Sequence, residues 1–283
     1  MAWGLFLLFF TIISPISNLA SKTDDSISDF ARVCNDNLTF KTNSTNLNFE
    51  NNVNLLLSVL TSESSHLRHP PLKFFNTSVG RVYERAYGSY LCRNDLSSKQ
   101  CHNCIVNVTN FMFDLEFGYS DCIGFDFTIQ CIVRYAKSSK FSLYEEGFGL
   151  TYQPIGNNVT NYKEYNKVLL DTMQSLVEEA RYGNWTKANF TTREVEVTGY
   201  KEKIYVLVQC TPDISAINCS NCLSELSSRV PNCCNNSQGG VLAHANCLMK
   251  YDNRSFFGEA SSSFMPTYIY VSFVLLLNIF SFI

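Results

Sequence analysis

The chain has 283 residues, of which 46% are hydrophobic, so it is long enough to bury a sizeable core. This length predicts two domains of about 100–120 residues each and excludes both a disordered tail and a miniprotein. The formal net charge is −3 and like charges do not cluster in blocks, which argues against a surface that binds nucleic acid or anionic lipid.

The N-terminus has the pattern of a secretory signal peptide. An apolar run at residues 5–10 is followed by Asn18, Leu19 and Ala20 and then by polar residues, so residues 1–20 are predicted to be removed. No Lys or Arg precedes the apolar run, and a signal anchor is the alternative. Export would place the 12 cysteines in an oxidising compartment, where thiols form disulfides.

Sequons for N-glycosylation occur along the whole chain, as expected of an exported protein. The candidate sites are Asn37, Asn43, Asn76, Asn107, Asn158, Asn184, Asn189, Asn235 and Asn253. Asn218 also begins a sequon, but its middle residue is Cys219. We expect Asn218 to remain unmodified because that cysteine should be locked in a disulfide.

An internal repeat organises the cysteines. Three cysteines with the spacing Cys-x8-Cys-x2-Cys occur twice, at a constant offset of 118 residues: Cys92, Cys101 and Cys104, then Cys210, Cys219 and Cys222. A closing cysteine follows each triplet, with a tyrosine four residues later: Cys131 with Tyr135, and Cys247 with Tyr251. The chain therefore contains two copies of one structural unit.

Each copy carries the same order of predicted elements. Apolar residues at three- and four-residue spacing precede each triplet: Val53, Leu56, Leu57 and Leu60, then Val168, Leu169, Met173, Leu176 and Val177. They predict one amphipathic helix per copy with its apolar stripe facing the core. β-like runs at 86–91 and 204–209 lead into the triplets, and helical spacing follows each Cys-x2-Cys. The predicted fold class is α+β, with an antiparallel sheet packed against two helices in each domain.

A short segment separates the two copies. Residues 137–152 include Ser138, Ser139, Gly147 and Gly149 and are the predicted junction. Because this junction is short, we expect the domains to pack together instead of moving freely.

Residues 264–283 form an uncharged apolar segment. At about 1.5 Å per residue in a helix, this length matches a bilayer span. A transmembrane helix would normally be followed by cytoplasmic Lys or Arg, and none follows Ile283. A GPI signal would be preceded by small residues, which 260–263 supply, although the spacer is shorter than usual. The segment predicts membrane attachment and leaves the type of anchor open.

The cysteine spacing resembles the plant cysteine-rich repeat, also called the ginkbilobin-type or stress-antifungal domain. Two such domains in tandem are similar to cysteine-rich repeat secretory proteins, plasmodesmata-located proteins and the ectodomains of cysteine-rich receptor-like kinases. Residues 205–213 and 230–234 add to the resemblance. It covers residues 30–137 and 148–257, which it implies are the first and second ginkbilobin-type domains.

The resemblance also implies the disulfide pairs. These are Cys34–Cys122, Cys92–Cys101 and Cys104–Cys131 in the first domain, and Cys210–Cys219 and Cys222–Cys247 in the second. The offset of 118 places Tyr152 where the first cysteine of the second domain belongs. Cys233 and Cys234 remain, and the sequence leaves open a bond between them, a bond to another chain, or free thiols.

Some members of this family bind mannose through an Asn after the first cysteine, an Arg six residues before the last cysteine and a Glu five residues after it. Asn35 matches the first position, but the first domain has Phe125 and Ala136 at the other two. The second domain has Val241 and Asp252 there. One matching residue in three cannot replace the water around sugar hydroxyls, so Asn35 is only a weak carbohydrate-binding candidate.

Metal and catalytic chemistry are not expected. Paired Cys-x2-Cys motifs can form a zinc ribbon, but the third cysteine before each pair and the oxidising compartment favour disulfides. No catalytic motif surrounds the histidines, which are His66, His69, His102 and His244. We therefore predict no cofactor, no metal and no enzyme activity.

The resemblance implies a non-enzymatic binding or interaction protein in stress, defence or cell-surface signalling. Its expected location is the extracellular space or the outer face of the plasma membrane. Its expected partners are extracellular or membrane proteins and wall glycans, and not nucleic acid. The alternatives are a carbohydrate-binding antifungal effector, and a kinase-less receptor-like ectodomain that acts as a co-receptor or decoy.

Overall fold

The computed structural model describes residues 29–34, 44–65, 72–113, 119–139, 142–147, 151–182, 189–198 and 203–257. The predicted signal peptide, residues 1–20, and the apolar segment 264–283 lie outside these ranges. Within them, none of the helices combines the length and the apolar character that a bilayer span requires.

The first domain contains five strands and two helices. They are β1 (Phe30–Cys34), α1 (Ser44–Glu63), β2 (Phe74–Val79), β3 (Ala86–Cys92), α2 (Ser98–Phe113), β4 (Asp121–Asp126) and β5 (Cys131–Ala136). The strands form one antiparallel sheet in the order β1-β4-β5-β3-β2.

The second domain repeats this plan. Its elements are β6 (Thr151–Asn158), α3 (Tyr162–Tyr182), β7 (Phe190–Glu196), β8 (Lys203–Cys210), α4 (Ala216–Cys233), β9 (Ser237–Ala243) and β10 (Cys247–Asp252). The sheet order, β6-β9-β10-β8-β7, is equivalent to that of the first domain. The predicted repeat and the predicted α+β fold are confirmed.

The helices cover one face of each sheet. The predicted stripe of α1 is buried, with Leu56, Leu57 and Leu60 fully inaccessible in the first core. Side chains alternate along a strand, so Tyr90 and Cys92 of β3 face this core, whereas Leu91 between them faces away from it. The apolar stripe of each helix therefore packs against one face of its sheet.

The opposite faces of the two sheets pack against each other. Leu91, Phe125 and Ile132 of the first domain belong to one buried cluster with Leu207 and Leu248 of the second. Both faces of these strands are therefore buried, and the helices lie on the outside of a four-layer arrangement. The domains pack together, as the short junction predicted.

Hydrogen bonds from one side chain strengthen this sheet-to-sheet contact. Gln209 on β8 donates from Nε2 to the carbonyl oxygen of Cys92 at 2.9 Å. Its Oε1 accepts from the backbone N–H of Asn94 at 3.0 Å. Gln209 is 1% exposed, so its amide satisfies polar groups that would otherwise be buried without partners.

The first strand of each domain was not predicted. Residues 137–152 were assigned to the junction, but β6 already begins at Thr151. Register places Cys34 opposite Cys122 in the first domain and Pro154 opposite Gly240 in the second. The prediction that Tyr152 replaces the first cysteine is therefore wrong. The second domain is two residues shorter between this strand and its triplet, so the constant offset fails there.

The second domain has no room for the missing disulfide. A Cβ at Gly240 would lie 2.6 Å from Cε1 of the Tyr251 ring. Tyr251 is fully buried, and its hydroxyl donates to the carbonyl oxygen of Cys234 at 3.2 Å. An aromatic ring therefore fills the space where a cysteine side chain would lie.

Candidate functional site

The cysteines form six disulfides, and no free thiol remains among the described residues. The pairs are Cys34–Cys122, Cys92–Cys101, Cys104–Cys131, Cys210–Cys219, Cys222–Cys247 and Cys233–Cys234. The first five are the pairs that the family resemblance implied, and the sixth is one of the three states that the sequence left open. Each bond joins cysteines of a single domain, so no disulfide connects the two domains.

Two groups of side chains bring possible metal ligands close together. They are Cys222 with His244 and Cys247, and Cys104 with Asp126 and Cys131. In each group the two cysteines are joined to each other by a disulfide. Neither group offers a thiolate, so neither has the ligand set of a structural zinc site.

The positions equivalent to the family's mannose site do not converge on a pocket. Asn35 lies outside the described residues. Phe125 and Val241 belong to the apolar cluster between the sheets, and Ala136 is 1% exposed. Asp252 accepts a hydrogen bond from the backbone N–H of Arg254. In the packed tandem, a sugar has no access to Phe125, Ala136 or Val241.

The candidate glycosylation sites differ in accessibility. Asn76, Asn107, Asn158 and Asn235 are exposed, and Asn253 is half-buried. Asn189 is also half-buried, and its Nδ2 donates to the carbonyl oxygen of Thr211 at 3.1 Å. Asn37, Asn43 and Asn184 lie outside the described residues. The exposed asparagines are the more accessible candidates.

The domain interface becomes polar towards one end. Arg134 on β5 is two residues beyond the buried Ile132 and is itself 2% exposed. Its Nε and Nη2 donate to the two carboxylate oxygens of Asp121 at 3.1 and 2.8 Å. Glu145 of the junction lies 3.8 Å from the same guanidinium. A buried ion pair therefore lies next to the junction, where the chain passes from the first domain to the second.

The junction is fastened to the second domain by Glu225 of α4. The hydroxyl of Tyr144 donates to Oε2 of Glu225 at 2.5 Å, and the backbone N–H of Gly147 donates to Oε1 at 3.0 Å. Burial and the hydrogen bond to Glu225 raise the pKa of Tyr144, which keeps its hydroxyl protonated as a donor. These hydrogen bonds to Glu225 fix the conformation of residues 142–147.

His244 makes this junction sensitive to pH. Its ring is fully buried; Nδ1 accepts from the backbone N–H of Asn246 at 3.3 Å, so the proton lies on Nε2, 3.0 Å from the carbonyl oxygen of Glu145. Burial lowers the pKa of His244 below 6.5, and Arg134 acts in the same direction, while Glu225 and Glu145 oppose it. The folded protein therefore binds the extra proton less readily than the unfolded chain.

We expect the free energy of unfolding to fall as the pH decreases below 6.5. The slope of this dependence should correspond to the uptake of at most one proton on unfolding. Urea unfolding between about pH 5 and pH 8 measures this slope. His244→Gln should flatten the slope. His102→Gln, on α2 of the first domain where His102 is bonded to Ser64, is the control for the loss of a histidine outside the junction. A slope that persists in His244→Gln would contradict the assignment.

An interdomain cleft of about 390 Å³ lies beside the polar end of the interface. Its lining is almost entirely polar: Asn76, Thr77, Ser78, Tyr87, Ser139, Ser142 and Asp213. Most of these residues belong to β2, β3 and the junction, whereas Asp213 belongs to the loop after β8. Both domains therefore contribute to the cleft.

Another open cleft, of about 400 Å³, lies on the first domain between β1, α2 and the β4–β5 turn. Its buried carboxylate, Asp126, already accepts hydrogen bonds from the backbone N–H groups of Gln130 and Cys131 and from the hydroxyl of Thr128. Asp126 stabilises the turn, so its oxygens are occupied by the protein itself.

The turn between β2 and β3 displays two large apolar side chains. Val82 is 74% exposed and Tyr83 is 88% exposed. The turn is ordered because Asn48 and Asn52 of α1 hydrogen bond to the side chain and the carbonyl oxygen of Glu84. Leu55, 53% exposed, lies on the same face of α1 as these asparagines. We call Leu55, Val82 and Tyr83 the α1–turn patch.

The interface network was not foreseen from the sequence. Asp121, Arg134 and Glu225 lie on three separate elements and His244 lies in the turn between β9 and β10, and no local spacing connects them. His244 lies outside any motif, and no pattern in the sequence marks the other three residues. A buried polar residue within an apolar strand is the one available signal, and Arg134 in 131–136 is such a case.

Together, the tandem α+β domains, their intradomain disulfides and the face-to-face sheets define a two-domain, disulfide-stabilised protein module. Two matches to the salt stress response/antifungal family, at residues 33–138 and 152–254, cover most of the chain. The chain belongs to this family, and the resemblance noted from its cysteines is confirmed.

The chain also has relatives in Arabidopsis thaliana. The chain is 28% identical to probable cysteine-rich repeat secretory protein 6, with 72% of this chain and 74% of the relative aligned. It is 27% identical to cysteine-rich repeat secretory protein 1 over 73% of this chain and 58% of that protein. It is 26% identical to cysteine-rich receptor-like protein kinase 14, of which it spans only 30%.

Solved structures support the fold. The tandem DUF26 ectodomains of the Arabidopsis thaliana cysteine-rich receptor-like proteins PDLP5 and PDLP8 superpose with TM-scores of 0.57 and 0.60. Each covers 78% of this chain, and the chain covers 97% and 95% of them, at 20% identity. The tandem arrangement is thus shared with these ectodomains.

Proposed function

We propose that this chain is a non-enzymatic extracellular binding protein of the plant cell surface, acting in stress, defence or cell-surface signalling. Membership of the family supports this proposal, as do relatives named as secretory and receptor-like proteins. Residues 264–283 would attach the protein to the outer face of the plasma membrane. Its partners would be extracellular or membrane proteins.

The observation that carries the proposal is the α1–turn patch. Tyr83 is 88% exposed and Val82 is 74% exposed, yet the turn that carries them is held in place by two hydrogen bonds from α1. Exposed apolar side chains cost little to bury in a partner, and an ordered turn loses little entropy on binding. Tyrosine is also among the residues that contribute most to protein interfaces.

The test is proximity labelling of plant cells that express the full-length protein, followed by affinity measurement with each captured protein in purified form. Tyr83→Ala should weaken that affinity by a factor of about 30, as expected for an interface residue worth 2 kcal/mol. Tyr182→Ala is the matched control, because Tyr182 is 77% exposed at the end of α3. Equal affinities for wild type and Tyr83→Ala would overturn the proposed contact.

A receptor-like ectodomain, acting as a co-receptor or decoy, is the second candidate. The match to receptor-like protein kinase 14 over 30% of its length favours it. Co-precipitation of the full-length protein with receptor-like kinases of this family would support this candidate, and its failure with every such kinase present in the tissue would exclude it. A mannose-binding antifungal effector is disfavoured because Phe125 and Val241 are buried between the sheets.

A further inference from the structure

The interdomain cleft contains the asparagine of a sequon. Asn76 is exposed on β2, which is an edge strand of the first sheet, and Thr77 and Ser78 complete the sequon. All three residues line the cleft. A glycan attached to Nδ2 of Asn76 would therefore begin at the cleft between the two domains.

The second domain presents the carboxylate of Asp213 to this cleft. Oδ1 of Asp213 is buried and has no hydrogen-bond partner among the described residues. Burial raises the pKa of Asp213, although side-chain hydrogen bonds from Thr211 and Asn76 and the charge of Arg134 act in the opposite direction. A buried oxygen without a donor is destabilising, so this carboxylate favours a ligand rich in hydroxyl and N–H donors.

We propose that the innermost N-acetylglucosamine of an N-glycan on Asn76 occupies the interdomain cleft and donates hydrogen bonds to the carboxylate of Asp213 of the second domain. The cleft volume of about 390 Å³ lies in the range of small-ligand sites and accommodates one such sugar. The glycan would thereby connect the two domains, which no disulfide does. This inference rests on the export that the proposed function requires.

Attachment of the glycan leaves Asn76 able to donate a hydrogen bond to Asp213. Transfer from a lipid-linked diphosphate donor forms a bond between C1 of the sugar and Nδ2 of Asn76. The bond between C1 and the diphosphate oxygen breaks, and the amide proton leaves with the lipid diphosphate. Nδ2 retains one N–H, so Asn76 can still donate a hydrogen bond towards Asp213.

Other sequons provide internal comparisons. Asn158 is exposed at the end of β6 and does not line the interdomain cleft. Its glycan should therefore project into solvent. A sugar that lies in the cleft is shielded from an endoglycosidase in the folded protein, whereas a solvent-exposed sugar is not.

The experiment uses full-length protein from plant cells treated so that their glycans stay in the high-mannose form. An endoglycosidase that cleaves after the first sugar is applied to native and to denatured protein, and peptide mass spectrometry follows each site. We expect native cleavage at Asn76 to be slower than at Asn158 by at least about tenfold, because cleavage would require local opening. The two rates should become equal after denaturation.

A variant of the second domain tests the contact itself. Asp213→Ala should raise the native cleavage rate at Asn76 and leave the rate at Asn158 unchanged. Asn76→Gln should lower the melting temperature more than Asn158→Gln does. Equal native rates at the two sites, or a rate at Asn76 that Asp213→Ala does not change, would overturn the proposal.

The two proposals can fail separately. If Asn158 carries a glycan and Asn76 does not, export stands and the inference about the cleft is wrong. If no sequon is modified, the export required by the proposed function is itself contradicted. If Asn76 is unmodified but free chitobiose stabilises the wild type and not Asp213→Ala, the cleft binds a separate saccharide and the assignment to the protein's own glycan is overturned.

Discussion

Replacing Cys34 and Cys122 with Ala is expected to lower the free energy of unfolding by about 4–5 kcal/mol. This disulfide spans a sequence separation of 88 residues, the largest in the protein. It restricts the unfolded chain most strongly, because the entropy of loop closure grows with loop length. It also fastens β1, an edge strand, to β4.

The matched control is Cys92→Ala with Cys101→Ala, since that bond spans a separation of only 9 residues. Its loss should cost less than about 3 kcal/mol on the same entropic argument. Urea unfolding under non-reducing conditions measures both variants, and peptide mapping confirms that the other disulfides are intact. A larger loss in the Cys92–Cys101 variant would show that strain or packing, and not loop length, sets the contribution.

The helices and their buried faces could be predicted because their information is local. Leu56, Leu57 and Leu60 repeat at helical spacing, and the same period decides which side of α1 meets the sheet. The disulfide pairs could not be derived in this way, since Cys34 and Cys122 are far apart in sequence and many pairings are possible. Their pairing followed from the family resemblance alone.

The sequence carries a signal for the sheet-to-sheet contact that was not among the predictions. Residues 204–208 are continuously apolar, whereas a strand with one solvated face would alternate with polar residues. Such a run indicates a strand that is buried on both faces. The helices cover only one face, so the continuous run at β8 implied a second covering layer, which the other domain supplies.

The polar end of the interface had no comparable signal. Arg134 and Asp213 belong to different domains, and their proximity depends on how two completed sheets dock. Neither spacing nor composition carries that information. The same holds for the cleft, because Asn76 is recognisable as a sequon but its opposing groups are contributed by the other domain.

Asp121→Ala is expected to destabilise the protein by about 3–5 kcal/mol, because a charged group buried without its partner is strongly unfavourable. The side chain of Arg134 is 2% exposed and that of Asp121 is 9% exposed, so water cannot replace the lost carboxylate. Glu145, at 3.8 Å and 33% exposed, compensates only in part.

Adding Arg134→Met to Asp121→Ala should restore most of the lost stability, since removing both charges leaves no unpaired group in the interface. Glu194→Ala is the control for ion pairs in general. Glu194 pairs with Lys203 at the surface, with side chains 45% and 42% exposed, and its loss should leave the free energy of unfolding close to that of the wild type. Urea unfolding at neutral pH compares the variants. If the double variant is as unstable as Asp121→Ala alone, the loss comes from packing around Asp121, and the ion pair does not stabilise the polar end of the interface.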